Sequence, residues 1–170
     1  MVKRAQDKSA AFEVGQHVVY PAHGVGTITG VEKESVAGID LEVYVVSFEQ
    51  DKMILRVPTA RAADSGMRAL AGTKLVDDAL KTLGGRARVK RTMWSRRAQE
   101  YEAKINSGDP ISIAEVVRDL HRNVGQPDQS FSERQIYEAA RDRLASELAA
   151  VDKTDVEAAT EKLEDVLKAA

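Results

Sequence analysis

Six cations and a tryptophan are concentrated between residues 86 and 97. This stretch holds six of the 25 Lys and Arg residues of the 170-residue chain, its only Trp, and no acidic residue. Cations neutralise phosphates, and an aromatic side chain can stack on a base or wedge against a base step. The composition therefore predicts a surface for a polyanion. The residues are Arg86, Arg88, Lys90, Arg91, Trp94, Arg96 and Arg97.

The same stretch is predicted to begin a helix that runs to about Asn106. At helical spacing, Met93, Tyr101 and Ile105 share one face, while Trp94 lies about 100° round from Met93. We therefore expect these three residues to pack inward and Trp94 to point elsewhere. The alternative is that Trp94 anchors the core and the arginines form a solvated face.

Charge is unevenly distributed along a chain of net charge −2. Residues 1–65 sum to −2, residues 86–104 to +5 and residues 128–170 to −5. A basic island between acidic regions favours binding to a phosphate backbone in one orientation. The chain has no cysteine, no apolar run of membrane-spanning length and no signal-like apolar segment after its first charges, which favours a cytoplasmic protein.

Alternating β-forming residues dominate the first third of the chain. Strands are predicted at 14–20, 27–31, 39–48 and 53–57, with a turn at 21–26. Four or five short strands predict a small, strongly bent antiparallel sheet or barrel. The strand at 53–57 could be internal or an edge that is open to a partner strand.

Helical periodicity dominates from residue 73 onward. Helices are predicted at 73–83, from the basic stretch to about residue 106, and after the capping boxes at 132–135 and 154–157. Three apolar stripes are expected to be buried: Ile113, Val116, Val117, Leu120 and Val124; Ile136, Ala140, Leu144 and Leu148; and Val156, Ala159, Leu163, Val166 and Leu167. The prediction is an α+β protein with a flexible segment at 1–11, a sheet domain at 12–66 and a bundle of about five helices at 67–170.

Residues with catalytic or metal-binding chemistry do not form a recognisable set. His17, His23 and His121 are far apart and lack metal-ligand spacing. The pair Gly24 and Gly26 lacks the third glycine and the following helix of a phosphate loop. We therefore predict no catalytic residue, no metal, no cofactor and no enzymatic activity.

Several motifs resemble the CarD/CdnL family of bacterial transcription regulators. They are Phe12-Glu13-Val14-Gly15, Val19-Tyr20-Pro21-Ala22-His23-Gly24, Arg56-Val57-Pro58, Trp94-Ser95-Arg96-Arg97 and Ala114-Glu115-Val116-Val117-Arg118-Asp119-Leu120. The resemblance extends from about residue 12 to residue 170. The first domain also resembles the polymerase-interacting module of the transcription-repair coupling factor.

The resemblance implies a Tudor-like domain that binds the RNA polymerase β subunit by adding an edge strand. The implied contact residues are Met53, Ile54, Leu55, Arg56, Val57 and Pro58. It also implies that Trp94 enters the DNA minor groove near the −10 element, with Arg96 and Arg97 beside it. Such a protein stabilises the open promoter complex with the sigma-factor holoenzyme, largely without reading sequence, and we expect a monomer associated with the nucleoid through the polymerase.

One position departs from the family pattern. An arginine expected in the turn between the second and third strands is aligned with Glu34 here, beside Lys33. A different class of function is also open, namely a protein–protein adaptor without direct DNA contact. A stand-alone sequence-specific DNA binder is disfavoured because no helix-turn-helix pattern is found.

Overall fold

The computed structural model describes residues 12–49, 52–62, 64–88, 91–122, 127 and 129–169. The chain divides into two compact units, of which the first ends at Ala69 and the second begins at Leu70. Three predictions concern residues outside the described part: the flexible segment 1–11, the phosphate contact at Lys90 and the buried position at Val124. They stay predictions.

The first unit is an antiparallel sheet in the order β4-β3-β2-β1-β5. The described strands are β1 (His17–Tyr20), β2 (Gly24–Val36), β3 (Ile39–Phe48), β4 (Met53–Pro58) and β5 (Arg68–Ala69). The α+β class is thereby confirmed. β1 is shorter than predicted, because Gly15 adopts a φ of 88° and turns the chain before His17.

A long hairpin joins β2 to β3. Its two-residue loop, Ala37 and Gly38, has φ values of 52° and 78°, and Val36 pairs with Ile39 across it. Positive φ at both loop residues matches the right-handed twist of the flanking strands. Glu34 therefore lies within β2, opposite Leu41, and the sequence-based placement of Glu34 in a turn is wrong.

The core of the sheet unit lies on one face, where Val18, Ile28, Val46 and Phe48 are buried. Gly26 permits the close packing of this face. A Cβ atom at Gly26 would lie 2.7 Å from Val46 Cγ1 and 2.8 Å from Phe48 Cε1, which is too close for any other residue. In β3 the four consecutive residues from Val43 to Val46 are all buried, so both faces of the strand are covered there.

The second unit consists of helices packed around one apolar cluster. The described helices are α1 (Thr73–Leu83), α2 (Trp94–Asn106), α3 (Pro110–Leu120), α4 (Phe131–Asp152) and α5 (Val156–Ala169). The predicted bounds of the first helix and the predicted end of the second are confirmed. None of the described helices is long and apolar enough to cross a membrane.

The predicted inward stripes of α3 and α4 are confirmed at every described position. In α5 the prediction that Val156 is buried is wrong. Val156 is 38% exposed because it is the first residue of its helix.

In both predicted capping boxes the structure uses a different capping residue. Ser130, not Ser132, accepts from Glu133 N, and Asp155, not Thr154, accepts from Ala158 N.

Candidate functional site

The described residues of the basic stretch that precede α2 are not helical. α1 ends at Leu83, with Gly84 as its C-cap, and α2 begins only at Trp94, with Met93 as its N-cap at φ −55° and ψ 142°. Arg86 and Arg88 lie between the two helices, with exposed side chains. The prediction that the basic stretch begins the second helix is therefore wrong for the described residues before Trp94.

A buried carboxylate fixes this segment to α3. Asp119 is only 4% exposed, and its Oδ1 atom accepts hydrogen bonds from Arg88 N and Arg118 Nε, both at 2.9 Å. The Arg88 amide therefore bonds to α3 and not to a helical carbonyl. The sequence does contain a signal for Asp119, since a charged residue stands three positions after Val116 within an apolar stripe.

Trp94 is half-buried and packs against the helical core. Its ring centroid lies 6.3 Å from that of the buried Tyr101, with an interplanar angle of 49°. Met93 is 75% exposed. The prediction that Met93 packs inward while Trp94 points elsewhere is wrong, because the helix begins after Met93 and places Trp94 on the face that Arg97 and Tyr101 share.

The cations around Trp94 belong to two structural classes. Arg97 is half-buried, and its Cζ atom lies 5.4 Å from the Trp94 ring centroid and 5.8 Å from the Tyr101 ring centroid. The other described cations are exposed and form no ion pair with any described residue: Arg86, Arg88, Arg91 and Arg96. The described part of the structure thus presents four exposed guanidinium groups without an ion-pair partner in that part, and one that is packed against aromatic rings.

The second candidate surface is the outer edge of the sheet unit. β4 pairs with β3, and no described residue pairs with its other side. Along β4 the side chains alternate: Met53, Leu55 and Val57 face the core cluster, whereas Ile54 and Arg56 are exposed. β4 is therefore an edge strand and not an internal one, which decides between the two alternatives that the sequence allowed.

Arg56 is held by acidic residues of β2. Its guanidinium group forms an ion pair with Glu34 and lies 3.6 Å from a Glu32 oxygen. The Arg56 and Glu32 side chains are about half exposed and Glu34 is 31% exposed, so a partner can still reach the cluster. Glu34, which departs from the family pattern, thus pairs across β3 with the arginine of the edge strand β4, a contact that sequence reasoning missed.

The histidines take part in ordinary side-chain contacts. His17 Nδ1 lies 3.1 Å from Thr27 Oγ1, His23 stacks on Tyr20, and His121 Nδ1 lies 3.3 Å from the Tyr137 hydroxyl. Among the described residues, no group of three or more His, Asp or Glu side chains could hold a metal ion.

Comparison with known proteins identifies both units. A family model described as the CarD-like/TRCF RID domain matches residues 12–71, and one described as the CarD C-terminal domain matches residues 78–164. The two matches define a CarD-like architecture in which a sheet unit precedes a helical unit. The chain belongs to the CarD/CdnL family, a family of transcription factors.

Two individual proteins are similar to the chain. One is YdeB of Bacillus subtilis (strain 168), described as a proposed transcription factor, which is 27% identical over 137 residues, 81% of this chain and 90% of YdeB. The other is the solution NMR structure of the 72-residue N-terminal domain of Myxococcus xanthus CarD. It is 31% identical, with a TM-score of 0.30, and the match covers 34% of this chain and 77% of that domain.

Proposed function

We propose that this protein regulates transcription by binding the RNA polymerase β subunit with its sheet unit and stabilising the open promoter complex with its helical unit. It acts as a monomer on the sigma-factor holoenzyme, in the cytoplasm at the nucleoid, and has no enzymatic activity. The observation that carries the proposal is the open edge of β4, within a domain whose family is described as CarD-like/TRCF RID.

Strand addition explains how the sheet unit binds. An edge strand presents a row of unpaired backbone N–H and C=O groups, and a partner strand can satisfy them in register. Alternate side chains then select the partner. In β4 these are Ile54, which is 65% exposed, and Arg56, which Glu34 and Glu32 hold in place. Because Glu32 and Glu34 already compensate the charge of Arg56, Ile54 supplies the main apolar contact for the partner strand.

The DNA contact by itself is weak and depends on salt. If the four exposed arginines each neutralise one phosphate, the affinity for DNA falls about 10²-fold between 50 and 200 mM salt. Such a surface cannot find a promoter alone. Tethering to the polymerase raises its effective concentration to the order of millimolar, at which weak contacts suffice.

Trp94 supplies the preference for the open state. Inserting an aromatic side chain at a base step costs unstacking energy, and this cost is lowest where the duplex is already distorted. Trp94 therefore binds the edge of a melted region better than intact duplex. Only such differential binding can shift the equilibrium between closed and open complexes, and a preference of about 1.4 kcal/mol shifts it tenfold.

The sheet-edge contact is tested by binding of the purified β subunit. Ile54→Glu places a charge on the exposed face of β4 and is expected to weaken binding tenfold or more. The matched control is Val14→Glu, because Val14 is 62% exposed but lies outside the strands. An equal loss with both variants, or no loss with Ile54→Glu, would refute β4 as the binding edge.

A further inference from the structure

Arg97 differs from the other cations of the basic stretch in its surroundings. Its guanidinium group lies near the rings of both Trp94 and Tyr101, and its Nη2 atom donates to the Tyr101 hydroxyl at 3.3 Å. Its Nε atom is buried and has no hydrogen-bond partner among the described residues. A guanidinium group placed in this way is poorly available to a DNA phosphate.

Arg97 contacts both the half-buried indole ring of Trp94 and the buried phenol ring of Tyr101. Tyr101 is buried in the helical core, whereas Trp94, at the first position of α2, is only partly covered. Guanidinium groups pack flat on aromatic faces, through cation–π attraction and stacking. Arg97 therefore holds the Trp94 indole next to Tyr101 and limits the rotamers that the Trp94 side chain can adopt.

We infer that Arg97 is a positioning residue, which holds the Trp94 indole in the orientation that engages DNA, and that it is not itself a phosphate contact. The DNA part of this inference rests on the proposed function. Holding a contact side chain in its bound orientation before binding lowers the entropy cost of association. Arg96, adjacent in sequence but exposed, is the phosphate contact of the pair.

The first test uses the free protein and needs no DNA. Because Trp94 is the only tryptophan, its emission maximum and its quenching by acrylamide report on one site. Arg97→Met keeps an unbranched stem but removes the guanidinium group, and Tyr101→Phe removes only the hydroxyl. Both variants are expected to increase quenching, whereas Arg96→Met is not. Unchanged quenching in correctly folded Arg97→Met protein would refute the claim that Arg97 restricts the Trp94 indole.

The second test separates positioning from phosphate contact. Binding to a duplex with a short mismatched bubble is measured over a range of salt concentrations. Arg96→Met should reduce the slope of log K against log salt concentration by about 0.9, the contribution of one phosphate. Arg97→Met should leave the slope unchanged and weaken binding by a constant factor of about three to ten.

Arg97→Lys provides the matched charge control. Lysine keeps the positive charge but lacks the planar fork, so it should not restore the affinity that Arg97→Met loses. Restoration by lysine, or a reduced slope in Arg97→Met, would overturn the inference. A different result would be that the Arg96 and Arg97 variants bind DNA as well as wild type while quenching is still altered in Arg97→Met. That result would refute the proposed DNA contact but would support the positioning of Trp94 by Arg97.

Discussion

Replacing Asp119 by alanine tests how the basic segment is attached to the helical unit. Asp119 and Arg118 form an ion pair in which both side chains are largely buried. The same Asp119 oxygen accepts from the Arg88 amide. Asp119→Ala therefore leaves a guanidinium group without its partner and releases the backbone that carries Arg86 and Arg88.

The expected loss can be bounded from these contacts. Removing one partner of a buried ion pair costs about 3–5 kcal/mol, because the other charge is left uncompensated. Arg118 keeps some access to water, so we expect the lower end, about 3 kcal/mol. Asp119→Asn retains an acceptor for Arg88 N and should lose less. For a domain of ordinary stability, a loss of about 3 kcal/mol is a large fraction of the total.

Urea unfolding followed by Trp94 fluorescence measures this loss within the helical unit alone. The matched control is Glu115→Ala on the same helix. Glu115 pairs with Lys104 at 2.7 Å, but both side chains are about one-third exposed, so its loss should cost about 0–1 kcal/mol. A difference of less than about 1 kcal/mol between Asp119→Ala and Glu115→Ala would refute the reasoning.

Two further predictions concern the helical unit. Ser130→Ala should destabilise α4 by about 1 kcal/mol, whereas Ser132→Ala should have little effect, because Ser130 caps the helix; the reverse order in urea unfolding would contradict the observed cap. Burial raises the pKa of the Tyr137 hydroxyl above its ordinary value. The neutral hydroxyl therefore contributes its full stabilisation below the ordinary pKa of tyrosine, and this contribution is lost as the pH rises through the raised pKa. Tyr137→Phe should therefore lose less stability than wild type between neutral and strongly alkaline pH, and parallel losses would contradict this assignment.

Local patterns predicted those parts of the fold that depend on neighbours in sequence. The apolar stripes of α3 and α4 each specify one buried face, and this prediction holds. The alternation predicted for Ile39–Phe48 does not hold, because the consecutive residues from Val43 to Val46 are all buried and Ile39 is 63% exposed. β5 could not be found in this way. It comprises only Arg68 and Ala69, and it exists because these residues pair with β1, about 50 residues earlier.

The non-helical backbone at Arg88 makes a contact that sequence periodicity does not reveal. The hydrogen bond from Arg88 N to Asp119 joins positions 31 residues apart, and the chain remains non-helical there despite good helix formers. Once the helix begins at Trp94, Met93 becomes an exposed cap and Trp94 packs against the core. The candidate residues were thus predicted from their chemistry. Only the structure distinguishes the exposed cations from Arg97, which is packed against the rings of Trp94 and Tyr101.

The choice of cap at α4 shows a local ambiguity. Ser130 and Ser132 each precede an acidic or amide residue by three positions, so both fit a capping box. The structure uses Ser130, while the Glu133 carboxylate accepts from Arg122 Nη2 at 2.8 Å. A tertiary ion pair therefore accompanies the earlier cap, and sequence alone does not distinguish the two.

The most direct test of the central claim is the half-life of polymerase–promoter open complexes, measured at two salt concentrations. The proteins compared are wild type, Trp94→Ala, and Phe131→Ala as a control, since Phe131 is a 76% exposed aromatic residue elsewhere in the helical unit. Wild type and Phe131→Ala should lengthen the half-life, by about tenfold for a preference of about 1.4 kcal/mol. Trp94→Ala should still bind the polymerase but should not lengthen the half-life. Equal lengthening by all three proteins, or none by wild type, would contradict the account and favour an adaptor that binds only protein.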